Sequence, residues 1–389
     1  MINLNDYFDP VSIDGPHFEH LTGPAIFPHN IFVHTESSRI GDLKKFRMAI
    51  IGVPEGRNSP NSGSAKGPDA IRKQLYQLSK IPGRPGIIDL GNMKQGISFR
   101  DTIAGLSDIL SFLLHEKIFP VILGGSSALV PAFDRALSKF TDGYTLAAVD
   151  PRIDYSNERK EPDSYNYLNT IMGNGKSRFR HYINIGYQTY LNDQQVINRF
   201  IKRRSELNRI GDVRQTISLT EPLLRDSDAV VFDICSVRQS DAPGTYSPSP
   251  NGFYGEEICL LARYAGISDN IKVFGLFEVN PELDIRNQTS GLAAQIIWLF
   301  LEGFAQKQNE SPALASGNSG RFVRHYVRLT GLNDDLVFLK SNLTDRWWME
   351  VPSGSLKPSF IACSYDDYLR AGRNELPDRW VKAMEREKP

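Results

Sequence analysis

Short apolar runs that end abruptly in polar residues recur through most of this chain. Ile118-Phe119-Pro120-Val121-Ile122-Leu123 runs into Gly124-Gly125-Ser126-Ser127, and Leu146-Ala147-Ala148-Val149 runs into Asp150-Pro151-Arg152-Ile153-Asp154. Ala229-Val230-Val231-Phe232 delivers Asp233-Ile234-Cys235, and Val273-Phe274-Gly275-Leu276-Phe277 delivers Glu278. An unbroken apolar run of this length reads as a strand buried on both faces, the signature of a parallel sheet. Similar runs at Met48–Val53, Gly86–Leu90 and Tyr182–Gly186 alternate with helical segments, a βα succession. One predicted helix spans Asp101–Lys117, with Asp101 as its N-cap and Ile103, Leu106, Ile109, Leu110 and Leu113 along one side. Sites in open α/β sheets form at the carboxyl ends of strands, so the four polar loops are expected to converge on one pocket. A single carboxylate after a strand commonly only caps the next turn. Four such loops together make capping a weak explanation.

The pattern also divides the chain. Residues 1–45 hold His17, His20, His29 and His34 among Pro16, Pro24 and Pro28, which predicts an irregular strap whose histidine spacing matches no standard zinc motif. Residues 46–305 carry the βα succession, and 306–320 is a linker rich in Ser, Asn and Gly. An extension, 321–389, contains strand-like Phe322–Arg328 and Asp335–Lys340, then helices beginning at Ser364 and Pro377. Trp347, Trp348 and Trp380, three of the four tryptophans, fall in it beside Arg346 and Arg379. Aromatics next to arginine are favoured interface anchors, which makes these three candidates for contact with a partner. Stapling the extension onto its own chain is the competing role.

Composition narrows the function. Forty-five basic and 45 acidic side chains balance, which gives no electrostatic footprint for nucleic acid or an anionic membrane. Cys235, Cys259 and Cys363 form neither a metal motif nor a disulfide framework. Met1–Val11 lacks the apolar core of a secretory signal, and no apolar stretch reaches membrane-spanning length, so a cytoplasmic protein without membrane insertion is expected.

The four polar loops, in order, resemble the metal-binding signature of the ureohydrolase family: arginases, agmatinases and formimidoylglutamases. The family's Gly-Gly-Asp-His-Ser is similar to Gly124-Gly125-Ser126-Ser127-Ala128, and its Asp-Ala-His-x-Asp to Asp150-Pro151-Arg152-Ile153-Asp154. Its aspartate-rich third block aligns without a gap on Val231 to Gly244, keeping Asp233 and Ala242-Pro243-Gly244, with Cys235 and Arg238 where aspartates belong. Glu278-Val279-Asn280-Pro281 with Asp284 is intact, and Gly67-Pro68-Asp69-Ala70-Ile71-Arg72 and Ser249-Pro250-Asn251-Gly252 also match. The last segment looks most like the formimidoylglutamase branch. The resemblance implies a three-layer αβα arginase-like fold around a central, mainly parallel sheet, followed by the extension.

It also implies a pair of manganese ions activating a water against an amidino carbon, and the ligand positions are altered. Carried over, one ion would see Ser127, Asp150, Asp154 and Asp233, and the other Asp150, Arg152, Asp233 and Cys235. Arginine has only donors and keeps its charge, so it cannot ligate. The expectation drawn is no metal cofactor, with Arg152 turned inward to make forked hydrogen bonds to the carboxylates. Failing that, Asp150, Asp154 and Asp233 with the Ser127 hydroxyl suit a weak hard-ion site for Mg or Mn. Cys235 beside an arginine could be a nucleophile, but none of the seven histidines lies in these blocks, and a small buried hydrophobe is its expected role. Glu278, whose family counterpart holds the substrate's amidino group, is expected as a vestigial pocket residue. Two functions stay open: a pseudoenzyme that binds, scaffolds or regulates, through an unknown protein partner at the extension or as a homo-oligomer, and a metal-dependent hydrolase of amidino C–N bonds. The first is placed ahead because missing ligands remove the nucleophile, whereas a scaffold needs only the fold.

Overall fold

The computed structural model describes residues 3–13, 21, 23–83, 85–158, 161–312, 320–352 and 359–387. His17, His20 and Pro16 of the expected strap, and residues 313–319 of the expected linker, lie outside them.

The apolar runs form the expected sheet. Its strands are β1 (Phe8–Asp9), β2 (Phe32–Val33), β3 (Met48–Val53), β4 (Ile87–Met93), β5 (Phe119–Gly124), β6 (Tyr144–Val149), β7 (Phe179–Tyr187), β8 (Glu206–Arg209), β9 (Ala229–Asp233) and β10 (Val273–Phe277). They lie in the order β1-β4-β3-β5-β10-β9-β6-β7-β8, with β2 also on β4. Every pairing is parallel except that of β1 with β4. Alternate residues of one strand feed opposite faces, as the strand period of two requires. Val121 and Leu123 join a core with the helices Gly67–Leu75, Gly255–Gly266 and Gln288–Ala305. Ile122 joins a second core with Phe99–His115 and Pro131–Leu137. The result is the three-layer αβα arrangement. Among the described residues before β3, β1 and β2 extend the sheet and the buried His34 sets Nδ1 2.9 Å from the Leu90 carbonyl.

The helix predicted from Asp101 starts earlier, at Phe99. Ser98 is the cap: its hydroxyl accepts from Asp101 N, while the Asp101 carboxylate accepts from Ser98 N. Asp101 is thus the second half of a capping box, a role that looks the same as an N-cap from composition alone.

Beyond the body, β11 (Phe322–Val327), β12 (Leu336–Ser341), β13 (Trp347–Val351) and β14 (Ser359–Cys363) form a separate antiparallel sheet in sequential order. Ser364 opens the helix Tyr365–Gly372 through a capping box with Asp367. The tryptophans make the contacts of the competing, stapling role. Trp347 and Trp348 are buried, Trp348 carries the Arg225 guanidinium 4.4 Å above its ring, and Trp380 Nε1 donates to the Glu350 carbonyl at 3.1 Å. Trp347 and Trp380 pack within the extension, and Trp348 ties it to Arg225 of the body. No helix among the described residues is long and apolar enough to cross a membrane.

Candidate metal centre

Strands β5, β10, β9 and β6 are consecutive in the sheet, and these are the four whose ends carry the polar loops. Their registers align Leu123 with Leu276, Phe277 with Asp233 and Phe232 with Val149, so the loops leave the sheet at one level. The glycine pair after β5 is needed for close approach. A Cβ at Gly125 would stand 2.2 Å from the Glu55 carbonyl oxygen, and Gly125 in turn accepts from Glu278 N at 2.9 Å.

Asp150, Asp154 and Asp233 gather at these loop starts, all buried, with ligand-type oxygens within 4.8 Å of one another. Each aspartate that follows a strand uses one oxygen locally: Asp150 accepts from Arg152 N and Asp233 from Cys235 N, both at 2.7 Å. The remaining Asp233 oxygen and both oxygens of Asp154 accept no hydrogen bond. Arg152 does turn inward, with 17 % of its side chain exposed. It reaches only 3.8 Å from Asp154 and 3.6 Å from Asp233, and its face lies 4.7 Å from the Tyr165 ring centroid. These are charge contacts without the expected fork of hydrogen bonds, and Arg152 Nε has no acceptor.

The electrostatics follow. Burial and mutual repulsion push Asp154 well above the usual carboxylate range, and burial with the Asp150 charge raises Asp233 to about 6. Burial also raises Asp150, against the pull of Arg152. One arginine at these distances does not neutralise three carboxylates. Cys235 is buried, its Sγ 2.9 Å from Thr245 Oγ1, and burial with the nearby Asp233 charge keeps it a thiol. That agrees with the small-hydrophobe role and gives no nucleophile.

Ser127 and Glu278 form a second unit. Glu278 Oε1 accepts from Ser127 N at 2.7 Å and its hydroxyl at 3.1 Å, and Oε2 accepts from Asn61 Nδ2 at 2.9 Å. Glu278 has a positive φ of 69°, a conformation rare outside glycine, and burial with the Asp233 charge raises its pKa to about 7. Ser127 is therefore engaged with Glu278 rather than with the aspartates. Sequence reading missed Asn61, Tyr165, Thr245 and Ser164, whose carbonyl lies 3.2 Å from the Ser127 hydroxyl. Asn61 lies in the polar loop after β3, and the strand-end reasoning applied to four strands reaches it when applied to that fifth.

Residues 46–302 match the sequence model of the arginase family. The chain belongs to that family. Among its relatives, formimidoylglutamase of Bacillus subtilis is 25 % identical over 281 residues, covering 66 % of this chain and 86 % of that one. The Ralstonia nicotianae formimidoylglutamase is 27 % identical over 272 residues, covering 64 % and 81 %. The crystal structure of Trypanosoma cruzi formiminoglutamase with Mn2+2 superposes with a TM-score of 0.63 at 18 % identity, covering 69 % of this chain and 96 % of that one.

The expectation of no metal cofactor does not survive these findings. A structure of the same fold is described with Mn2+2, and here three buried carboxylates stand close together with three oxygens unpartnered. Hard oxygen donors in that number fit a divalent hard cation. The donor set suits a single ion at Asp150, Asp154 and Asp233. Arg152, the residue at the position of the family's second histidine, stands 3.6 Å from Asp233 and 3.8 Å from Asp154.

Proposed function

We propose that this arginase-family protein holds one manganese ion on Asp150, Asp154 and Asp233, with Arg152 as the second positive charge, and binds a ligand in the family pocket without hydrolysing it. The observation that carries this reading is the Arg152 guanidinium, 3.6 Å from Asp233 and 3.8 Å from Asp154, beside carboxylate oxygens that lack partners. A fixed cation there repels a protonated amidino group. Glu278, in the family position for that group, already has both oxygens occupied by Asn61 and Ser127. A bound divalent ion would supply Lewis acidity, but Arg152 offers no lone pair to fix the second ion of a two-metal clamp.

The test is metal content by mass spectrometry after dialysis against Mn2+, together with an assay on formimino and guanidino substrates. Close to one equivalent and no turnover is expected. Two equivalents, no bound metal, or turnover of either substrate class would overturn the reading. The triple variant Ser127→His, Arg152→His and Cys235→Asp is expected to raise the content to two.

One observation favours a hydrolase of amidino C–N bonds working with a single manganese. Glu278, raised to about 7 by burial and the Asp233 charge, can give or take a proton near neutrality. Turnover that vanishes in Glu278→Gln would establish that alternative.

A further inference from the structure

Where the C-terminal sheet meets the body, the two enclose a cleft of about 520 Å³ that no arginase-family motif reaches. Small-molecule sites span roughly 300–1,000 Å³. Tyr264 of the body and Trp347 and Tyr365 of the extension wall it, and Arg225, Arg346 and Glu221 supply its charge.

Arg225 is the unusual group, with 3 % of its side chain exposed. Its Nη2 meets the Cys363 carbonyl at 3.0 Å and the Glu221 carboxylate at 3.1 Å, while Nε and Nη1 have no acceptor. A buried N–H without an acceptor is costly, so this side chain, although its face lies against the Trp348 ring, is held short of its natural complement. Arg346, also largely buried, has its Nε 3.5 Å from the other Glu221 oxygen. One carboxylate thus answers two arginines, and that oxygen makes no hydrogen bond of its own. The neighbouring Asp226 is committed to Arg379 at 2.5 Å, and Asp345 at the mouth to Lys340 at 2.7 Å. The arginine–glutamate group carries one positive charge in excess.

We propose that this cleft binds a small carboxylic acid with an apolar body. Its carboxylate pairs with Arg346 and is drawn by the charge of Arg225 buried behind it, and its body lies against Tyr264, Trp347 and Tyr365. A monoanion matches the excess of one charge and the forked geometry of guanidinium. A phosphate dianion overshoots it and meets Asp345 and the exposed Asp366 on entry. Because both bodies line the cleft, such a ligand fastens the extension in place.

The test is calorimetric titration of the full-length protein with benzoate, with benzamide as the uncharged analogue, and with inorganic phosphate. Benzoate is expected to bind saturably, and at least tenfold more weakly to Arg346→Ala and to Tyr365→Ala, with thermal melting of each variant confirming that it is folded. Benzamide and phosphate are expected not to saturate. Arg152→Met is expected to bind benzoate like the parent, which separates this cleft from the carboxylate centre. No saturation by benzoate in the millimolar range, equal binding of benzamide or phosphate, parental affinity in both cleft variants, or loss in Arg152→Met would overturn the proposal.

Discussion

Two groups of buried charge, handled in opposite ways, distinguish the centre of this protein from its edge. At the edge, Glu206 on β8 receives His181 Nε2 and Arg379 Nη1, each at 3.1 Å, and Arg379 Nη2 also meets Asp226 at 2.5 Å. The backbone N of Ala362 donates to both Asp226 oxygens, at 2.9 and 3.0 Å. Burial alone would raise the Glu206 pKa, but Arg379, His181 and Arg386 outweigh it and hold the group well below the usual range. At the centre, the aspartates keep unpartnered oxygens and are pushed up. The chain can satisfy a buried carboxylate completely, so the unsatisfied set marks a place kept for something else. This is the physical case for a cation at Asp150, Asp154 and Asp233.

The comparison breaks most visibly at Arg379. Arg379→Ala leaves Glu206 and Asp226 without their shared cation and is expected to cost about 3–5 kcal/mol in urea denaturation. A loss below about 1 kcal/mol would mean the edge network is not what fastens the extension. At the centre the sign reverses for metal binding. Arg152→Met removes a competing charge and is expected to tighten Mn2+ binding by calorimetry about tenfold, roughly 1.4 kcal/mol. Unchanged or weaker binding would show that Arg152 does not share the cation's place.

The pH dependence of stability should differ in sign between Glu206 with His181 and the central aspartates, while burial raises Asp226 as it does the central ones. Glu206 is depressed in the folded state, so its contribution is present above its unfolded value and is lost as pH falls through the folded pKa. His181 is depressed mainly by burial, so acidification below its unfolded value charges it preferentially in the unfolded chain, again removing stability. The central aspartates are raised, so their folded form is favoured at low pH and destabilised as pH rises, through about 6 for Asp233. In chelator, Asp154→Asn should therefore melt above the parent at alkaline pH, and Glu206→Gln below it at neutral pH. Equal pH slopes for the two variants would remove the distinction. The smallest effect is expected from Ser364→Ala, which removes a helix cap in the extension at about 1 kcal/mol and should leave manganese binding unchanged.

Much of the fold was legible because it rests on local regularities. Runs such as Val121-Ile122-Leu123 are apolar on both faces, and their shortness and the glycines that follow read as buried strands. The Ser364–Asp367 box announces its helix by spacing alone. The Asp101 helix shows the limit, since the same aspartate serves as N-cap or as the third residue of a box until Ser98 is seen to bond it. The candidate site was legible as a set of strand ends, and its members Asp150, Asp154, Asp233, Ser127, Glu278, Arg152 and Cys235 do come together. How they divide was not legible. Ser127 turned to Glu278, 151 residues away, Cys235 to Thr245, and Arg152 stopped short of a hydrogen bond even to Asp154 two residues on, outcomes set by packing and not by residue type. The tryptophans were ambiguous for a related reason: aromatic residues beside arginine look alike at an interface and in a docked extension.

By itself, the sequence determined the strands, their polar ends and the residue types available to the centre, because hydrophobic period and capping act over a few neighbouring residues. Only the tertiary structure decided which charges would be answered. Glu206 and Arg379 stand 173 residues apart, and Asn61 and Glu278 stand 217 apart. Whether such groups meet at hydrogen-bond distance depends on the packing of whole layers, and with that packing the charges at the edge found partners and those at the centre were left open.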